Sequence, residues 1–274
     1  MYNFPIALQL YSVRDDMEAD FAGTLKKVKS FGYDGVEFAG LYGHTAEEVK
    51  KMCEDAGLTP ISAHVPYDEL KKGDETFKTY AEIGCKYIVI PWINAEYLAG
   101  GEKNAEFYEN VKKFGELANK HGMKLCYHNH DFEFEKFDGE YKIDLLYKAI
   151  SPELLSTQLD TCWVNVGGEN PAEYIAKYNG RTPVVHLKDF NIEGKLPKHL
   201  YALIGMDDEK DDDEPSSFEF RPVGHGMQDM PAILDASVKS GAEWVVVEQD
   251  EPSMGLSRMD SVKASREYLR SIGW

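Results

Sequence analysis

The sequence predicts an α/β protein folded as one (β/α)8 barrel over residues 1–274. Three observations predict it. Eight short apolar runs recur along the chain, and charged amphipathic stretches lie between them. The length of 274 residues also suits a barrel, which typically has about 250. The runs are Ile6–Leu10, Gly35–Phe38, Leu58–His64, Tyr87–Ile90, Met123–His128, Leu155–Asp160, Pro183–Leu187 and Trp244–Glu248, at intervals of about 25–40 residues apart from a longer last one. Short and mostly rich in Ile, Val or Leu, they read as parallel strands buried on both faces.

Helical patterns fill the intervals. Phe21–Phe31 places Phe21, Leu25, Val28 and Phe31 on one face, with lysines opposite. Thr45–Ala56 opens with Thr45 as N-cap and Glu48 at the capping-box position, and Gly57 stops it. Glu102–His121 ends at Gly122, and further helices are predicted over Met227–Ser240 and Leu256–Ser271. Strand alternating with helix implies a parallel sheet, and eight such units close into a barrel. An open doubly wound sheet competes, but no Gly-x-Gly-x-x-Gly follows a strand to support it.

Composition is that of an ordinary globular protein, 43% hydrophobic and 28% charged. The formal charge of −18 argues against a nucleic-acid or anionic-membrane partner, and leaves open a neutral sugar or a metal cation. No segment approaches the roughly 20 apolar residues of a membrane span, and the first residues lack the pattern of a signal peptide. Cys53, Cys85, Cys126 and Cys162 are scattered with no Cys-x-x-Cys, which suggests reduced thiols and a cytoplasmic protein. The irregular stretch Phe190–Gly226, with the acidic run Asp207–Glu214, reads as an insertion after the seventh strand. A barrel places it at the catalytic face, where it would serve as a lid.

A buried strand should stay apolar to its end, and several of these do not. The tips carry Glu37, His64, His128 with His130, Asp160, His186 with Lys188, and Glu248 with Asp250. Side chains alternate with period two, so the members of each pair share a face. Strands five to eight are neighbours in a barrel, and their inward tips converge His128, Asp160, His186 and Glu248. Two imidazoles and two carboxylates suit manganese, iron, cobalt or zinc better than magnesium or calcium.

These residues resemble the xylose isomerase-like TIM-barrel superfamily, in its sugar phosphate isomerase/epimerase branch. The matching stretches are Gln9–Arg14, Tyr33–Glu37, Tyr127–Phe134, Gln158–Thr161, Val185–Asp189, Pro222–Gly226 and Val247–Asp250, in family order. The resemblance implies a divalent metal, most often manganese, at the barrel mouth. Its usual ligands are a Glu from strand five, an Asp from strand six, a His from strand seven and a Glu from strand eight. Asp160, His186 and Glu248 match the last three, while His128 stands where the family usually has Glu. His225, in Val223-Gly224-His225-Gly226, also stands where many members have Glu. The family's pair of glutamates, acting as base and acid, is therefore broken here, and Glu248 alone remains.

The expected activity is a divalent-metal-dependent sugar isomerase or epimerase, moving a proton beside a carbonyl through an enediolate. Manganese is the first expectation for the metal, with zinc, cobalt, iron or magnesium as alternatives. The alternative activity is a keto-sugar lyase or dehydratase in the same site, of the inosose dehydratase or 3-keto-glycoside-processing kind. Glu248, His128 and Lys188 are the candidate catalytic residues. Glu37, His64, His130, Trp92 and His225 are the candidate sugar contacts, and Tyr11, Phe132 and Trp163 are further aromatics near strand ends. Arg14 and Arg221 are the loop arginines placed to meet a phosphate. No Gly-rich cradle accompanies them, so an unphosphorylated sugar is favoured. A metal-dependent endonuclease shares the barrel type, but its basic groove is absent here. Barrels of this family are often dimers or tetramers, which extends the expectation to a homo-oligomer.

Overall fold

In the computed structural model, which describes residues 4–194, 200 and 218–274, eight parallel strands close into a barrel. They are β1 (Ile6–Gln9), β2 (Gly35–Phe38), β3 (Thr59–His64), β4 (Tyr87–Ile90), β5 (Lys124–His128), β6 (Ser156–Asp160), β7 (Val184–Leu187) and β8 (Trp244–Val247). Spatial order follows chain order, and β8 pairs with β1 to close the ring. Each strand falls within a residue or so of its apolar run, because a strand buried on both faces is marked by composition as well as by alternation.

The helices form the outer ring. Phe21–Phe31 and Ala46–Ala56 lie where the patterns place them, and the reciprocal capping box of Thr45 and Glu48 is formed. Gly57 takes the left-handed conformation (φ 72°) that ends the second of these. The predicted helices near residues 102, 227 and 256 run over Asn104–Lys120, Met230–Lys239 and Arg258–Ser271. Gly115 lets the helix Asn104–Lys120 press on the backbone before β6, since a Cβ there would stand 2.3 Å from the Leu154 carbonyl oxygen. Among the described residues no helix is long and apolar enough to cross a membrane, and the four cysteines are buried and unbridged.

The barrel interior is layered along its axis. Ala7, Ile61, Tyr87, Val89, Cys126, Val184 and Val246 form its apolar floor. Two residues further along the same faces the side chains become polar: Gln9, Glu37, His128, His186 and Glu248, all buried. The β2–β3 register shifts between Val36 and Glu37, so that Glu37 pairs with Ser62. That irregularity lets Ile61 face the floor while Ser62 and His64 also reach the axis above it.

The ends of the insertion after β7 pair as an antiparallel ribbon, Asp189–Asn191 with Glu219–Arg221. Phe190, Phe218 and Phe220 pack there with Cys162 and Trp163. Residues 195–199 and 201–217 lie outside the described residues, and with them the acidic run Asp207–Glu214 and the body of the expected lid.

Candidate active site

Strand pairing brings the candidate ligands together. Asp160 lies opposite His186 in the β6–β7 register, and Glu248 extends β8 beside β7. Donor atoms of His128, Asp160, His186 and Glu248 all lie within 4.8 Å of one another, and all four residues are buried.

The cluster rests on Glu37. Its Oε1 accepts from Gln9 Nε2 (2.7 Å), His186 Nε2 (2.7 Å) and His64 Nε2 (3.0 Å). Its Oε2 accepts from Ser62 Oγ (2.5 Å) and Gln158 Nε2 (2.6 Å). Burial alone would raise the Glu37 pKa, but His64 and His186 outweigh it and hold the carboxyl well below its usual range. With its oxygens committed and no place in the cavity wall, Glu37 organises the site from below. Expected as a sugar contact, it lies outside the described cavity wall. Missing from the sequence reading were the roles of Gln9, Ser62 and Gln158 as its donors. Their signal was present, polar side chains on short strands buried in the barrel.

Above this hub, His186 donates through Nε2 to Glu37 and turns Nδ1 to Glu248 Oε2, 3.1 Å away. Burial disfavours its charge, yet Glu37 and Glu248 together push its pKa up to about 10. His128 keeps Nδ1 on Gln158 Oε1 (3.2 Å) and aims Nε2 at Asp160 Oδ2, 3.8 Å away. Burial, together with His186 and His64, holds His128 well below its usual range, so its imidazole is neutral. Asp160 caps the following helix through Oδ1, which accepts from Trp163 N at 3.0 Å. Its other oxygen, Oδ2, is buried and accepts no hydrogen bond. Desolvation pushes the Asp160 pKa up to about 7 even though Lys188 pulls it down.

An orphaned carboxylate oxygen facing a neutral imidazole nitrogen is the arrangement a divalent cation satisfies. His128 Nε2, Asp160 Oδ2, His186 Nδ1 and a Glu248 oxygen form a mixed nitrogen–oxygen donor set that suits a transition metal. Glu37 would then hold the ligating His186 from its far nitrogen, as carboxylates commonly do for metal-bound histidines. The residues present fit the metal.

Lys188 is the buried cation of the site. Its Nζ lies 2.5 Å from Asp250 Oδ2, 3.2 Å from Glu248 Oε2 and 3.9 Å from Asp160 Oδ2. The rings of Phe220 and Trp163 flank it at 5.1 and 5.2 Å. Burial opposes its charge, but Asp250, Glu248 and Asp160 outweigh burial and keep it protonated. Asp250 shares the inward face of Glu248 by the period of two, and its pairing with Lys188 was not foreseen.

A cavity of about 800 Å3 opens directly above these groups. Its inner wall holds His64, His128, His130, Lys188, Glu248 and Asp250, and Trp92 borders them. Trp92 packs edge-on against His130 (4.6 Å) and Phe132 (4.8 Å). His225, expected as a sugar contact, is exposed beside Tyr268 of the outer helix and is not among the described wall residues. The cause is Asp189, whose carboxylate accepts from the backbone N–H groups of Phe190, Gly224, Gly226 and Gln228 and folds that turn outward. Neither loop arginine awaits a phosphate. Arg14 is engaged with Tyr11 O, Asp250 O and Glu251, and Arg221 with Glu219.

Beneath His130 lies a second buried carboxyl. Glu133 accepts from Tyr127 Oη (2.6 Å) and from the His130 backbone N–H (2.8 Å). Burial pushes its pKa up to about 8, against the pull of those hydrogen bonds. The unfolded value is about 4.5, so between these two pH values the native state holds the extra proton. Glu133 therefore contributes stability that is fully present below about pH 4.5 and is lost as pH rises through about 8. Glu133→Gln keeps both contacts, accepting from His130 N–H and donating to Tyr127 Oη. The expected result is a flatter decline of the urea midpoint across that range than in the unsubstituted protein. Identical slopes in the two would exclude Glu133 as the source.

Fold and site together define a (β/α)8 barrel with a candidate metal centre at the carboxyl ends of its last four strands. The chain belongs to the xylose isomerase-like TIM barrel family, whose description matches residues 25–272. An inosose dehydratase of Clostridium botulinum (strain Alaska E43 / Type E3) is 25% identical over 286 residues, covering 93% of this chain and 92% of that protein. A sugar phosphate isomerase/epimerase from Parabacteroides distasonis ATCC 8503 has the same fold with a TM-score of 0.76 at 23% identity, covering 100% of this chain and 96% of that one. The probable 3-DHS dehydratase AsbF from Bacillus anthracis also shares it, with a TM-score of 0.70 at 14% identity over 97% of this chain and 99% of that one.

Proposed function

We propose that the protein is a divalent-metal-dependent lyase that removes the proton beside the carbonyl of a keto-sugar or keto-polyol and expels the oxygen on the next carbon. One observation carries this reading: a proton acceptor, Glu248 Oε2, and a proton donor, Lys188 Nζ, stand 3.2 Å apart at one wall of the cavity. Burial disfavours the charge on Glu248, but Lys188 and His186 outweigh it and keep the carboxylate ionised. Glu248 takes the proton as the C–H bond breaks. That electron pair forms the carbon–carbon double bond as the neighbouring C–O bond breaks. Lys188 supplies the proton with which the oxygen leaves as water or an alcohol, and the proton on Glu248 restores the pair.

Manganese is the first choice for the metal, and a bound divalent cation would supply Lewis-acid polarisation of the carbonyl. His128, Asp160, His186 and Glu248 would hold it. The naming of the Clostridium relative as a dehydratase supports elimination. The isomerase or epimerase reading is the second. It draws support from His130, which lines the same cavity and is kept neutral by burial, so that a second base is available.

Incubating metal-loaded protein with inosose, ketoses, aldoses and 3-keto-glycosides in deuterated water, followed by NMR, separates the two. Elimination shows an unsaturated or enol-derived product and a released alcohol or water. Epimerisation and isomerisation show deuterium in a product of unchanged composition. Absence of both exchange and elimination product with every substrate would falsify both readings.

A further inference from the structure

We infer that the outer half of the cavity is a subsite for an uncharged planar ring attached to the sugar, so that the preferred substrate is an unphosphorylated aryl-substituted sugar. This deepens the proposed function and rests on it only for which end of the substrate reacts. The cavity of about 800 Å3 lies in the upper part of the range, about 300–1,000 Å3, of pockets that enclose drug-sized ligands. A single sugar ring is much smaller than such a ligand.

The two halves also differ in chemistry. The groups able to hydrogen-bond hydroxyls lie at or just past the ends of β3, β5, β7 and β8, in the inner half. The outer half is built by loops after β1, β3 and β4, where Tyr11, Pro66, Tyr67, Trp92, Ile93 and Tyr97 stand among the polar Asp68, Glu69, Asn94 and Glu96. Tyr67 and Tyr97 pack edge-to-face at 5.3 Å, and the Tyr67 hydroxyl is already bonded to Asn110 Nδ2 at 2.7 Å. Ring faces and aliphatic edges on that wall reward an apolar planar partner.

Charge excludes a phosphate. The wall carries the carboxylates Asp68, Glu69, Glu96, Glu248 and Asp250, and Lys188 is its one cation among the described residues. Lys188 is committed to Asp250 and Glu248. Lys71 and Lys103, behind Tyr67 and Tyr97, are paired with Asp68 and Glu96. A phosphate dianion entering this wall meets net negative charge.

The test is calorimetric titration of manganese-loaded full-length protein with methyl and phenyl glucosides, in both anomeric forms, and with glucose 6-phosphate. The methyl and phenyl glucosides carry no free carbonyl, so their binding is read without turnover. The expected result is that one phenyl glucoside binds at least about ten-fold tighter than its methyl partner, with glucose 6-phosphate no tighter than the methyl glucosides. Tyr97→Ala should remove the phenyl advantage and spare methyl glucoside affinity, and Tyr97→Leu, the milder change, should reduce it if the alanine variant fails to fold. Equal affinity of phenyl and methyl partners, including no measurable binding of either, overturns the subsite. Tightest binding of glucose 6-phosphate does the same. The proton-exchange assay on small keto-sugars reports on the reaction alone, so the two ideas fail separately.

Discussion

Lys188→Met is expected to destabilise the metal-free protein by about 3–5 kcal/mol, the cost typical of removing one partner from a buried ion pair. The methionine keeps the length and apolar stem of lysine, so the flanking rings of Trp163 and Phe220 lose little packing. What disappears is the only ammonium within 4.0 Å of Glu248, Asp250 and Asp160 among the described residues. Three buried carboxylates are then left with His186 and, for Asp250, Arg14 as their nearest compensation. Chemical denaturation of chelator-treated protein measures the loss. Manganese should restore more of the midpoint to the variant than to the unsubstituted protein, because the cation relieves repulsion that Lys188 no longer relieves. Turnover should not recover with stability. A proton donor at a departing oxygen contributes typically about 10²–10⁴-fold, and added metal does not replace it. A variant of unchanged midpoint would mean that Lys188 is not the counter-charge the geometry makes it. A variant with full turnover would remove it from the mechanism.

The barrel was legible in the sequence for a physical reason. Strands such as Tyr87–Ile90 are buried on both faces, so they are apolar throughout and stand out from the charged helices around them. Period two then placed His186 with Lys188 and Glu248 with Asp250 without any knowledge of the third dimension, and the structure brings both pairs into the cavity region. Two features were not legible. His64 reaches the axis because the β2–β3 register slips by one residue, and the run Leu58–His64 carries no mark of that slip. Glu37 sits at a strand tip like the others, yet its carboxylate is enclosed by Gln9, Ser62, Gln158, His64 and His186. A strand end records which face a residue takes, not which side chains of other strands enclose it. The exposed position of His225 was illegible for a different reason: the turn that carries it is set by Asp189, more than thirty residues upstream, through backbone hydrogen bonds invisible to any local pattern.

Asp160→Asn is expected to move stability and metal binding in opposite directions. In the metal-free protein Asp160 Oδ2 is buried and accepts no hydrogen bond, and Glu248 adds a like charge nearby. An amide removes that charge while its oxygen still accepts from Trp163 N–H, so the helix cap survives. The metal-free variant should therefore melt at a higher temperature than the unsubstituted protein. Its metal site should weaken by more than the about 10–100-fold that follows loss of a merely supporting residue, because a ligand oxygen is gone. Two measurements check this: the melting temperature after chelation, and the manganese content after reconstitution and dialysis, read by elemental analysis. Glu248→Gln serves as the comparison. It also removes a candidate ligand, but it strips Lys188 and His186 of a partner and should lower the metal-free melting temperature instead. A chain selected only for stability has no reason to keep the aspartate at this position. Asp160 costs the empty barrel free energy that a bound cation would return. Equal manganese retention in Asp160→Asn and the unsubstituted protein would remove Asp160 from the ligand set. A lower metal-free melting temperature in that variant would mean that the buried oxygen already has a partner within the protein.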